Sequence, residues 1–169
     1  LDNANFNLTK LNYNFFTKIL DNNFKDSILN IERGNVVYRS IENEVLFINK
    51  IFNMNYSYDS KELKNILYSE NEIFNIPFSV ETFFSEDKNK MFSLINFNLL
   101  NLKIENELVS ENDNKIGKSE FILNKLKKVV EYKIEKNSFN FHIFDKMDQP
   151  NITYKGDFNF KPFYANIEG

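Results

Sequence analysis

Cysteine is absent from the chain, which removes disulfide staples, thiol nucleophiles and thiolate zinc clusters at once. Histidine occurs once, at position 142, so a nucleophile–histidine dyad would rest on that residue alone, and no surrounding motif supports one. No apolar run approaches the roughly 18 residues of a membrane-spanning helix. No glycine-rich loop is present to cradle phosphates. The net charge is -3 with acids and bases interleaved, so there is no basic face for counterion-driven nucleic-acid binding. Only four glycines and three prolines occur, which predicts few obligatory turns and long strands. The chain opens on Leu1 without a signal-peptide pattern. The expectation is a piece of a longer protein whose targeting segment lies elsewhere.

What is abundant points to pleated sheet. Phe (19) and Tyr (8) are numerous, Trp is missing, and Ile is frequent, a composition suited to half-buried strand surfaces. Heavy use of Asn, Lys and Ile reads as AT-rich coding rather than as chemistry. At 169 residues the chain can build a core, and residues 1–169 are read as a single domain.

The stretch from Phe74 to Leu99 has the least freedom. Phe74, Ile76, Phe78, Val80 and Phe84 fall on alternate positions, with Asn75, Pro77, Ser79 and Glu81 between them. That is the period of a strand with one buried face. A polar turn at 86–89 leads to a second alternating run, Met91, Ser93, Ile95, Phe97 and Leu99. Pairing Ser85 with Lys90 sets Phe84 opposite Met91, Val80 opposite Ile95, Phe78 opposite Phe97 and Ile76 opposite Leu99. A slip of one residue would set apolar groups against polar ones.

Residues 9–22 read as a short amphipathic helix, with Leu11, Phe15, Phe16, Ile19 and Leu20 at helical spacing and Thr9 as N-cap. It would serve either as a plug at one end of the sheet or as a lid or membrane-surface contact. Residues 28–33 and 36–40 flank Gly34 and Asn35, where a bulge or a bend in one strand is expected, and a strand returns at 45–48. Phe52, Met54, Tyr56 and Tyr58 alternate as a further strand, after which Asp59 and Ser60 would cap two helical turns through Leu67. Beyond Leu99 the apolar phase changes at Leu100, Leu102, Ile104 and Leu108, and again between Leu123 and Leu126; both changes read as bulges in a strongly bent sheet. A second clean hairpin turns at Lys136 and Asn137. It pairs Ile134 with Phe139, Tyr132 with Phe141, and Val130 with Ile143. After Pro150, Ile152, Tyr154, Phe158 and Phe160 form one run, and Phe163, Ala165 and Ile167 another.

Candidate chemistry is thin. His142 falls beside Glu131 on the polar side of its hairpin, as a solvated cross-strand pair would. The loop Glu111, Asn112, Asp113, Asn114 lacks the spacing and distal Glu of a calcium loop and reads as a turn. Lys125, Lys127 and Lys128 suit either a lipid headgroup contact or a solvated strand face. No catalytic residue, metal site or cofactor site emerges, and no enzymatic activity is expected.

Long apolar strands with little helix to cover them leave two solutions. Either the sheet closes on itself as a sandwich core, or one greasy face stays open to a non-protein partner.

Three short segments carry a family resemblance. The run from Ile31 to Arg39 (I-E-R-G-N-V-V-Y-R) resembles the I-x-N-G-x-V-x-Y-x-D strand–turn–strand of AsmA-like proteins, with Arg39 and Ser40 where that pattern has an acidic turn. Phe74–Phe78 (F-N-I-P-F) resembles their next long strand, and Tyr154–Phe158 with Lys161, Pro162 and Phe163 resembles later ones. The similarity spans roughly residues 26–169. The resemblance implies the AsmA-like and TamB-like superfamily of bridge-like lipid carriers built from repeating β-groove units, anchored in the inner membrane by a helix outside this chain. It implies phospholipid acyl chains and adjacent groove segments as partners, a periplasmic location, a part in phospholipid transport and outer-membrane homeostasis, and no catalytic residues.

The expected fold is therefore all-β with a minor helix: a long-stranded antiparallel meander curled into an open groove or taco. The candidate groove residues of the first hairpin are Phe74, Ile76, Phe78, Val80, Ile95, Phe97 and Leu99. Those of the second are Val130, Tyr132, Ile134, Phe139, Phe141 and Ile143, joined by Phe158 and Phe160. The rival readings are a structural or binding β-sandwich without lipid cargo, and a lipocalin-like barrel for one small ligand.

Overall fold

The computed structural model describes residues 2–8, 28–40, 42–85, 89–111, 114–135, 138–145, 153–160 and 163–169. Twelve strands there form one sheet in chain order. β1 (Asn5–Leu8) lies parallel to β2 (Leu29–Arg39), and every later neighbour is antiparallel. The series continues through β3 (Val45–Asp59), β4 (Lys64–Ile73), β5 (Ile76–Ser85), β6 (Lys90–Phe97), β7 (Leu102–Glu111) and β8 (Asn114–Leu123). It ends with β9 (Leu126–Ile134), β10 (Ser138–Asp145), β11 (Thr153–Phe160) and β12 (Phe163–Glu168). β1 and β12 are the two edges and do not pair with each other, so the sheet is open and not a barrel. The described residues contain no second sheet and no α-helix. The helix expected at 9–22 lies outside the described residues.

Both hairpin registers predicted from alternation are present. Ser85 pairs with Lys90, Phe84 with Met91, Val80 with Ile95 and Ser79 with Asn96. Phe78 and Phe97 stack with ring centroids 4.9 Å apart. In the second hairpin Ile134 meets Phe139, Tyr132 meets Phe141, Val130 meets Ile143 and Glu131 meets His142. Backbone bonds from Glu135 N to Ser138 O (2.9 Å) and back (3.4 Å) close it.

The ends of the first hairpin differ from expectation. Phe74 is not in a strand: with Asn75 it forms the two-residue turn between β4 and β5, at φ 51° and 61°, and it is 72% exposed. Leu99 sits in a 3-10 turn, Asn98–Leu100, and is 70% exposed, so it does not face Ile76. Pro77 occupies an interior strand, not an edge. It pairs with Glu72 one step from the Ile73–Ile76 turn pair, so its missing N–H points away from β4, where the β6 ladder has already ended at Asn96.

Both phase changes read as bulges are hairpin turns. Phe97 pairs with Leu102 around Asn98–Asn101, and Leu123 pairs with Leu126 around Asn124. The helical turns expected after Asp59 are absent. Asp59 instead caps a tight turn, accepting from the N–H groups of Lys61 (2.9 Å) and Glu62 (3.3 Å), and β4 begins at Lys64. The residues on either side of Gly34 belong to one strand, as expected, and Arg33 there takes φ 56°.

Scarcity of glycine did not mean scarcity of turns. None of the four glycines has positive φ, and most of the left-handed positions are taken by asparagine, at 3, 43, 75, 89, 101 and 124, beside Arg33, Leu63 and Phe74. Asparagine tolerates that region because its short amide bonds to nearby backbone. The AT-rich residue therefore does the work usually given to glycine.

A true bulge does occur where none was expected. The β3–β4 register shifts between Ile51 and Asn53, leaving Phe52 as the extra residue. Phe52 consequently turns outward, 47% exposed, while Met54, Tyr56 and Tyr58 share the other face. The first hairpin gives a direct check. Cysteines replacing Ser79 and Asn96 should form a disulfide under mild oxidation, and the pair Ser79/Ile95 should form it poorly. The reverse order would overturn the register.

Candidate functional site

Following cross-strand partners from β2 to β12 assigns each side chain to one of two faces. One face is apolar along nearly its whole length. From β5 to β8 it carries the ladder Val80, Ile95, Ile104 and Phe121, beside the ladder Phe84, Met91, Leu108 and Gly117. Ile31, Ile51, Tyr56, Phe84 and Leu108, five of the six buried apolar side chains among the described residues, lie on it.

The predicted groove residues divide as follows. Ile76, Phe78, Val80, Ile95, Phe97, Val130, Tyr132, Ile134, Phe139, Phe141, Ile143 and Phe158 all stand on the apolar face. Phe139, Phe141 and Phe158 form an aromatic cluster, with centroids 5.6 Å apart between Phe141 and Phe158 and 6.0 Å between Phe139 and Phe141. Phe74 and Leu99 stand in turns. Phe160 pairs with Phe163 at the last hairpin, and its side chain is outside the described residues.

Sequence reading missed the share contributed by Leu102, Ile104 and Leu108. Their parity made sense only once the turn at Asn98–Asn101 was known. It also missed the apolar content of the opposite face, where Phe83 pairs with Phe92, and Val129, 1% exposed, pairs with Phe144. Charge nevertheless concentrates on that opposite face, in the pairs Lys50–Glu72, Lys90–Glu107 and Lys118–Glu131. His142 lies there between Glu131 and Lys155, its ring 5.0 Å from that of Phe144. The basic cluster is split: Lys127 falls on this side, while Lys128 falls on the apolar face in an ion pair with Asp145.

A polar row crosses the middle of the apolar face. Thr82, Ser93, Asn106 and Ser119 are successive cross-strand partners on β5 to β8. The Thr82 hydroxyl donates to Ser93 Oγ at 3.1 Å, and the Ser119 and Tyr132 hydroxyls both donate to Asn106 Oδ1 at 2.7 Å. Toward β3 a second network runs from Asn49 Nδ2 to Asn71 Oδ1 (3.3 Å) and from Asn71 Nδ2 to Ser69 Oγ (2.7 Å). Only the register reveals either row, because in sequence these residues are isolated polar positions.

Tyr132 reaches Asn106, two strands away, because its ring lies over Gly117. A Cβ built on Gly117 would come 2.0 Å from the ring. Replacing Gly117 with Ala, ordinarily mildly favourable in a strand, should therefore cost about 1–3 kcal/mol by overpacking. Urea midpoints should show that loss in the wild-type background and show it largely cancelled when Tyr132 is also Ala.

Burial raises the Tyr132 pKa above its ordinary value, and does the same for Tyr38 and Tyr56. The folded state thus holds these protons more tightly than the unfolded chain does. Their contribution is complete below the ordinary tyrosine pKa of 10.0 and is lost as pH rises through the folded values. Stability should fall with pH above about 10, and Tyr132→Phe should make that fall shallower in denaturant titrations.

Comparison with protein-family models, curated proteins and solved structures finds no match to this chain.

Proposed function

We propose that the chain is a non-enzymatic carrier or scaffold for lipid, using the apolar face of its open sheet as a groove for phospholipid acyl chains. The observation that carries this reading is an apolar face spanning β2 to β12 that no described element covers. Twelve strands spaced by roughly 4.8 Å make a surface on the order of 50 Å long. An apolar patch of that extent marks a binding or interaction surface. Each methylene moved from water onto it would contribute about 0.8 kcal/mol. Chemistry is not needed for such a role: the face offers packing, and charge concentrates on the other side.

The resemblance to AsmA-like and TamB-like proteins suits this reading. In that setting the sheet curls into an open trough, adjoins further groove segments of a longer chain, and stands in the periplasm tethered to the inner membrane by a segment outside this one. Phospholipid then passes along it between the inner and outer membranes. The alternative, a structural or binding β-sandwich, requires a second layer, and all twelve described strands belong to one sheet.

Phe97→Asp and Phe141→Asp test the reading. Each should reduce phospholipid bound to the purified chain severalfold, measured by mass spectrometry, while the melting temperature moves by less than about 5 °C. A buried unpaired carboxylate in a closed core would instead unfold the protein. Collapse of both variants, with no lipid on the wild type, would favour the structural module.

A further inference from the structure

We propose that Ser93 and Asn106 form a carbonyl-receiving spot on the apolar face, so that the lipids it favours are acyl esters. This inference rests on the lipid reading above and specifies the ligand's chemistry.

The structure turns the Asn106 amide so that its carbonyl oxygen meets two hydroxyl groups, of Ser119 and Tyr132, each at 2.7 Å. The Asn106 NH2 group is thereby left as a pure donor, and among the described residues no side chain accepts from it. The Ser93 and Thr82 hydroxyls share one hydrogen bond, which uses one of their two protons and leaves the other without a side-chain acceptor among the described residues. Ser93 and Asn106 are direct cross-strand partners, which brings their Cβ atoms to about 5 Å. Both side chains are half-buried and therefore reachable.

This spot is all donor and carries no charge. Met91 and Leu108 flank it on one side along the strands, and Ile95 and Ile104 on the other. Of the charges on this face, Lys128 is neutralised by Asp145, and Lys115 stands four residues along β8 from Ser119. An anionic phosphate placed there would lose water without gaining a counter-charge, at a large cost. Plain hydrocarbon would leave the two donors unpaired, which is also costly. A neutral carbonyl oxygen fits both requirements: its two lone pairs accept from Asn106 N–H and Ser93 O–H while its alkyl arms lie on the flanking rows. Among membrane lipids, the ester carbonyls that join fatty chains to glycerol are that group.

Ester-linked and ether-linked dihexadecyl-chain phosphatidylcholine share headgroup and chain length and differ in the carbonyls. Each would be presented to the whole chain as vesicles, and lipid retained on the re-isolated protein counted by mass spectrometry. The wild type should retain the ester form about five- to tenfold more than the ether form, as two modest hydrogen bonds allow. Ser93→Ala and Asn106→Ala should each bring the ester-to-ether ratio close to one. Ser93→Ala is the gentler change, and it keeps the test open if loss of the Asn106 amide unsettles the fold. Equal retention of the two lipids by the wild type would overturn the carbonyl spot and leave the lipid reading standing. So would a preference that survives Ser93→Ala. Retention of neither lipid would overturn both.

Discussion

In a meander of this kind each strand inherits its facing from the hairpin before it. A side chain on β5 lies on the same face as its partner on β6, then β7, and so on to β12, with no other layer among the described residues to correct an error. One misplaced residue would turn every later apolar position outward. The continuity of the apolar face therefore depends on turns that are tight and unambiguous. The chain supplies them with asparagine in the left-handed region, at 75, 89, 101 and 124. Where a turn is not asked to set phase, a bulge does so: Phe52 is pushed out between β3 and β4, and the apolar series resumes at Met54.

Polar groups within the apolar face reinforce this. A sheet face of Val, Ile and Phe alone tolerates a two-residue slip, since parity is preserved. Thr82, Ser93, Asn106 and Ser119 hold matching positions on four neighbouring strands, and a slip would bury each without its partner. Tyr132 locks the next strand into the same row through the space left at Gly117.

Local alternation was legible where the turn had polar residues and both arms were regular. The hairpins at 86–89 and 136–137 follow from it, partner by partner. What could not be read was any turn built from residues that also look like strand. Phe74–Asn75 and Asn98–Asn101 each hold apolar side chains in a turn, so Phe74 and Leu99 passed for strand residues and the next run for a bulge. Asp59 also misled, because an aspartate that caps a helix equally caps a four-residue turn. The polar row was invisible for a different reason. Its members are spaced by turn lengths, not by any period along the chain.

The central proposal is that the apolar face receives acyl chains and the opposite face does not. A phospholipid bearing a photoactivatable diazirine midway along one chain tests it directly, with adducts located by peptide mass spectrometry. The account predicts adducts on Val80, Ile95, Ile104 and their row neighbours, and none on Ser79, Asn96 or Glu105, which alternate with them on the charged side. Adducts divided evenly between the two sets, or no adducts at all, would contradict it.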